Sequence, residues 1–183
     1  MFTRKVNNRW SLGLAALIAL AILVGGASQT NAQDVAVGQA TATVLAVLAV
    51  TASQDLQFGD VLQGVPNSVD HNTDAASGIF RITGEAGNQI DAYMQLPDYV
   101  ALADGSDRMV ISFSSTDAEY NGTAAAVPAD AGTETNPHNI PSLTLGVGGD
   151  MALFLGGTVF PTVDQSNGSY AGDIVLTVAY NGS

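Results

Sequence analysis

From residue 77 onward the chain alternates apolar and polar residues in short runs, most of them bounded by Gly, Pro or Asn. A period of two sends successive side chains to opposite faces of an extended strand, so each run can bury one face and wet the other. In "SGIFRITG" (77–84), Phe80 and Ile82 oppose Arg81 and Thr83. In "NQIDAYMQLP" (88–97), Ile90, Ala92, Met94 and Leu96 oppose Asp91, Tyr93 and Gln95. Met109, Ile111 and Phe113 share one side of "RMVISFSS" (108–115), and Met151, Leu153 and Leu155 share one side of "MALFLGGTVF" (151–160). The clearest run comes last. "GSYAGDIVLTVAY" (168–180) places Ile174, Leu176, Val178 and Tyr180 on one face, with Val175, Thr177 and Ala179 on the other. A terminal strand holds only when it is paired and packed.

Upstream, "ATATVLAVLAVT" (40–51) is apolar and β-branched. Its core alone could pass for a buried helix, but its neighbours favour a strand. "DLQFGD" (55–60) is a short alternating segment closed by Gly59. Asn167-Gly168 between two strand-like runs is a hairpin signal and predicts an antiparallel pair over 158–180. About seven short strands with turn residues between them predict an all-β, immunoglobulin-like antiparallel β-sandwich. Residues 116–142, "TDAEYNGTAAAVPADAGTETNPHNIPS", are poor in large apolar residues and read as one long, flexible surface loop.

The first 32 residues read differently. "MFTRKVNNRW" is cationic, "SLGLAALIALAILVGGA" is apolar, and Ala32 precedes a polar stretch. This is the pattern of a secretory signal peptide, a short helix removed after Ala32 or, alternatively, after Ala27. An uncleaved anchor is the rival, although the apolar run is at the short end for a span. Cleavage leaves residues 33–183 as a single domain, exported by the general secretory route to the surface or surroundings of a bacterium, with no membrane insertion of the mature chain. Without cysteine, this domain has no disulfide and depends on its core. It keeps Arg81 and Arg108 as its only cations against 17 acids, a formal charge of 2 − 17 = −15. Such a surface repels nucleic acid and anionic lipid and favours solubility.

No residue set for catalysis stands out. There is no cysteine and no G-x-S-x-G elbow, and the sole tryptophan, Trp10, lies in the leader. His71 and His138 sit in turn-like surroundings and read as exposed loop histidines. The protein is therefore not expected to be an enzyme, and no cofactor is expected. Asp104 and Asp107 in "DGSD" are weak calcium candidates, because an acidic turn can offer oxygen ligands; the same residues are ordinary turn formers. Asn121, Asn167 and Asn181 each begin an Asn-Gly-Ser/Thr triplet, which turn chemistry also explains.

Four features recur in order: a leading apolar strand running into "LQFGD" (Leu56, Phe58, Gly59), "FRITGEAG" (Phe80, Gly84, Gly87), "LFLGGTV" (Leu153, Gly156, Gly157), and the closing Gly168, Tyr170, Gly172, Val175, Val178 and Tyr180. This pattern, over about residues 40–181, resembles the bacterial secreted family called domain of unknown function 4402. The resemblance implies secretion and a compact β fold, and brings no reaction with it. The terminal Gly172, Ile174, Leu176, Val178 and Tyr180 are more loosely similar to the ending of bacterial fimbrial subunits. That likeness implies self-association, with a strand of one copy added to the sheet of another. The expected role is a secreted or cell-surface structural subunit of a fibre or adhesive layer. Its candidate pairing residues are Val44, Leu45, Val47, Leu48 and Val50, together with Tyr170, Ile174, Leu176, Val178 and Tyr180. Residues 40–51 are then either exchanged between copies or the first strand of their own domain. The alternative is a monomeric module that binds a surface glycan or calcium through its loops.

Overall fold

The computed structural model describes residues 39–182. The expected signal peptide, residues 1–32, lies outside them. Contacts divide the chain into residues 1–42 and 43–183, and the architecture below is that of the second unit.

The described residues are all-β, with no helix, and the strand pairing is antiparallel throughout. Five strands form the first sheet: β1 (Ala49–Gln54), β3 (Gly78–Thr83), β7 (Ala118–Asn121), β8 (Thr133–Thr135) and β10 (Asp150–Leu155), in the order β1-β3-β10-β7-β8. A second sheet holds β2 (Asn67–Val69), β5 (Tyr99–Leu102), β6 (Arg108–Ser112), β11 (Gly157–Phe160) and β12 (Tyr170–Ala171), in the order β12-β5-β6-β11-β2. The third joins β4 (Gln89–Gln95), β9 (Leu143–Thr144) and β13 (Val175–Tyr180), in the order β13-β4-β9.

One core unites them as a sandwich. Phe80, Ile82, Met151, Leu153 and Leu155 come from the first sheet, Met109, Ile111 and Val159 from the second, and Ile90, Met94, Leu143 and Leu176 from the third. These are the inward positions of the alternating runs, so period two sets the faces as expected. The closing strand is satisfied within its own chain: β13 pairs with β4 from Val175 opposite Gln95 to Tyr180 opposite Ile90.

Four local expectations are corrected. The first strand begins at Ala49 rather than residue 40, and its partner explains why. Ala49 lies opposite Thr83, where β3 ends, and residues 39–48 find no ladder. The run 151–160 is broken at Gly156, where the chain passes from the first sheet to the second. The hairpin over 158–180 does not form, because β11 pairs with β2 and β6 whereas β13 pairs with β4. Finally, the span 116–142 contains β7 and β8, and the segment between them lies on the outer face of the first sheet. Ala126 packs there with Ile79, Ala152 and Phe154, and Arg81 Nη1 donates to the Ala126 carbonyl at 2.9 Å.

His71 belongs to this covered face and is not an exposed loop histidine. It is 7 % exposed, with Nδ1 3.3 Å from Asp70 and Nε2 3.4 Å from Glu119, itself a buried residue of β7. The turn that carries His71 also meets the β7–β8 connection, where Asp74 accepts from the Ala129 amide at 3.0 Å.

Candidate functional site

The first and second sheets do not close on each other everywhere. Between them lies a groove of about 880 Å³. Its floor is core: Phe80 of β3, Val100 of β5, Met109 and Ile111 of β6, and Val159 of β11. One wall is Ala52 and Gln54 of β1, continued by residues 55–61. The opposite wall is the segment 165–174, which leads into β13. The groove therefore runs between the first strand and the last segments of the fold. The two edge strands that border it are β1, which pairs with β3, and β12, which pairs with β5; each stands at the end of its sheet. Such edges carry a row of backbone N–H and C=O groups available to another strand. The rim is acidic, with Asp55, Asp60 and Asp173.

One carboxylate shapes the far wall. Asp107 Oδ2 accepts from the Ser166 amide at 2.8 Å, Gln165 Nε2 at 2.8 Å and the Tyr170 hydroxyl at 2.9 Å. Gln165 Oε1 in turn takes the Thr162 amide at 3.2 Å, and the Gln63 amide group donates to the Gln165 carbonyl at 2.5 Å. The Ser166 amide, and next the Tyr170 hydroxyl, stabilise the ionised form and hold the Asp107 carboxyl down at about 2. Tyr170 moves the other way: removal from water raises its pKa, and the Asp107 charge adds to that rise.

This lowered carboxyl gives a pH prediction. Its stabilising contribution is fully present above the usual value of 3.8 and is lost as pH falls through about 2. Tyrosine fluorescence followed over that interval should show the 165–171 wall releasing in the wild type. Asp107→Asn should show no such step, having lost the charge at every pH. An identical acid profile in both proteins would contradict the assignment.

The two calcium candidates are thus turn and latch residues. Asp104 accepts from the Ser106 amide at 3.0 Å and the Ser106 hydroxyl at 2.7 Å, with the hydroxyl bond the main cause of its lowered pKa. Asp107 is committed to the wall. Among the described residues, no three His, Cys, Asp or Glu side chains are grouped to hold a metal.

The pairing candidates separate into three sets. Tyr170 and Ile174 line the groove. Leu176, Val178, Tyr180 and Leu48 pack on their own core, and the Tyr180 hydroxyl takes the Glu85 amide at 2.6 Å while donating to the Ala46 carbonyl at 2.9 Å. Val44 and Val47 are 92 % and 86 % exposed, and Leu45 and Val50 are exposed as well. The groove itself has no counterpart in the sequence reading, since an unfilled space between sheets leaves no local pattern.

No family model and no curated protein matches the chain. Among the described residues no helix is long and apolar enough to cross a membrane.

Proposed function

We propose that this is a secreted, cell-surface structural subunit with an immunoglobulin-like sandwich, which assembles by receiving a strand from a neighbouring copy. The observation that carries the reading is the open groove. Its floor is apolar core, and its two walls carry the edge strands β1 and β12. An added strand gains main-chain hydrogen bonds from an edge and side-chain burial from the floor. The acidic rim favours an uncharged occupant. Residues 35–48, "VAVGQATATVLAVL", contain no charged side chain. Ala46 and Leu48 are held by their own domain, so the donated stretch lies in 35–45. Extended at about 3.3 Å per residue, those residues span roughly 36 Å. With β1 beginning at Ala49, this stretch can leave without dismantling the first sheet.

Sedimentation velocity tests the reading on residues 33–183, on a chain lacking 33–45, and on Ala52→Trp. Ala52 is exposed on the groove wall, so an indole there obstructs the groove at little cost to the fold. The full chain is expected to form long species, and both variants to remain single folded subunits. A full chain that stays monomeric at millimolar concentration would overturn the proposal.

A further inference from the structure

An asparagine followed by glycine carries its own reaction. The glycine nitrogen can attack the asparagine side-chain carbonyl, because no Cβ shields that nitrogen and the glycine backbone turns freely. The chain has this pair at Asn121, Asn167 and Asn181. The fold treats the three differently.

Asn121 is the last residue of β7, paired opposite Ala152, and its Nδ2 donates to the Ala131 carbonyl at 2.9 Å. Asn181 follows β13 directly. Its backbone amide donates to the Gln89 carbonyl at 3.3 Å, and its Nδ2 donates to Gln89 Oε1 at 3.1 Å. At both positions, ring closure first requires a hydrogen bond to break and a strand end to open. Asn167 is exposed and lies outside every strand. Neither its side chain nor the Gly168 amide makes a hydrogen bond among the described residues. Ser166 and Tyr170 on either side are fixed by Asp107, so the pair stands as a free tip between two anchored points. Packing also keeps the glycine in place. Gly168 has a φ of +151°, and a Cβ on it would lie 2.6 Å from Leu102 Cδ2.

We propose that Asn167 is a self-modifying site, at which the unassembled protein converts a neutral part of its groove wall into a charged one. The Gly168 nitrogen bonds to Asn167 Cγ and gives up its proton. The Cγ–Nδ2 bond breaks, and Nδ2 leaves as ammonia with that proton, which closes a cyclic imide. Water then adds to either imide carbonyl and opens the ring. The product is aspartate or, with the main chain rerouted through the side chain, isoaspartate. Water is consumed, ammonia is released, and nothing is oxidised or reduced. Asn167 lines the groove, whose rim already holds Asp55, Asp60 and Asp173. A carboxylate there must lose its water when a strand is seated over it, which costs free energy that the amide does not. Isoaspartate also lengthens the main chain between Ser166 and Tyr170. Assembled subunits, with Asn167 covered, keep the amide, and subunits left alone lose it with age. This consequence rests on the strand-accepting groove; the conversion itself does not.

Ageing residues 33–183 at mildly alkaline pH, folded and in urea, tests the proposal by peptide mass mapping. Chymotrypsin cuts after Tyr120, Phe154, Tyr170 and Tyr180 and so places the three pairs on different peptides. In the folded protein the Asn167 peptide is expected to gain the mass of an amide-to-acid conversion, as a pair of isomers. It should do so about ten times faster than the Asn121 peptide, and ahead of Asn181. In urea the three rates should converge. Asn167→Gln, which would have to close a larger ring, should lose the mass gain at an unchanged melting temperature. No gain at Asn167 in the folded protein, or equal rates at the three sites, would overturn the proposal. Sedimentation velocity on Asn167→Asp reads the consequence, and weaker assembly than the wild type is expected. Assembly equal to the wild type would overturn the control of assembly by this charge. A wild type that never assembles would overturn the groove reading instead, and the mass gain would still decide the modification.

Discussion

Gly156→Ala should destabilise the domain by about 3 kcal/mol, through a clash that only backbone movement can relieve. A melting temperature roughly 10 °C lower is the expected reading by calorimetry. Gly156 joins β10 to β11 at the point where the chain changes sheets, and its amide donates to the Asp117 carbonyl at 2.7 Å. A methyl group on it would press on the Val69 carbonyl oxygen, and would lie 2.7 Å from the His71 amide nitrogen and 3.0 Å from the Asp70 carbonyl carbon. All three are main-chain atoms, which cannot rotate away as a side chain can. Gly78 provides the control. A methyl group there would meet Leu56 and Leu155 side chains at 3.5 and 3.6 Å, ordinary contact distances. Gly78→Ala is therefore expected to change stability by less than about 1 kcal/mol. Equal effects of the two substitutions would contradict this account.

His71→Leu should cost a similar amount for a different reason. The imidazole lies between Asp70 and Glu119, and Glu119 is buried with its Oε1 lacking a hydrogen-bond partner among the described residues. Removing the imidazole leaves a buried carboxylate without its neighbour, a change worth about 3 kcal/mol. Replacing Glu119 as well removes the stranded charge. The double variant His71→Leu with Glu119→Leu is thus expected to be more stable than His71→Leu alone. Urea unfolding of the four proteins forms a double-mutant cycle. Strict additivity of the two losses would show that the pair does not act together.

The faces of the strands were legible from the chain because period two depends on neighbours a few residues away. Phe80 and Ile82, Met109 and Ile111, and Leu176 all turn inward as their alternation implies. What required distant partners was not legible. Residues 41–47 have strand-forming side chains, yet no strand lies beside them, and propensity without a partner builds no ladder. Asn167-Gly168 has the chemistry of a two-residue turn. Asp107 instead engages Gln165, Ser166 and Tyr170 from sixty positions away, and Tyr170 opens a short pairing with β5. The covered outer face did leave one trace. "MALFL" (151–155) is apolar without alternation, the pattern of a strand buried on both sides, and β10 is buried there from Met151 to Leu155. Read as a strand with Met151, Leu153 and Leu155 on one side, the run gave no warning that its other face is covered too, and the sparse small residues of 122–132 gave no sign of supplying that cover. The groove left no trace, because its floor residues read as ordinary core.

The order β1-β3-β10-β7-β8 also governs how quickly this chain can reach its native state. Its central ladder sets Phe80 against Leu153, and the closing strand sets Tyr180 against Ile90. Neither pairing can begin until most of the polypeptide has emerged and a long loop has closed. Folding dominated by such distant pairings is slow, on the order of milliseconds to seconds for comparable all-β domains. Throughout that delay the apolar run 151–155 is uncovered. With no cysteine to trap a partial structure as a disulfide, the incompletely folded chain is open to aggregation, and a partner that shields 151–155 until they are covered would raise the yield of folded protein.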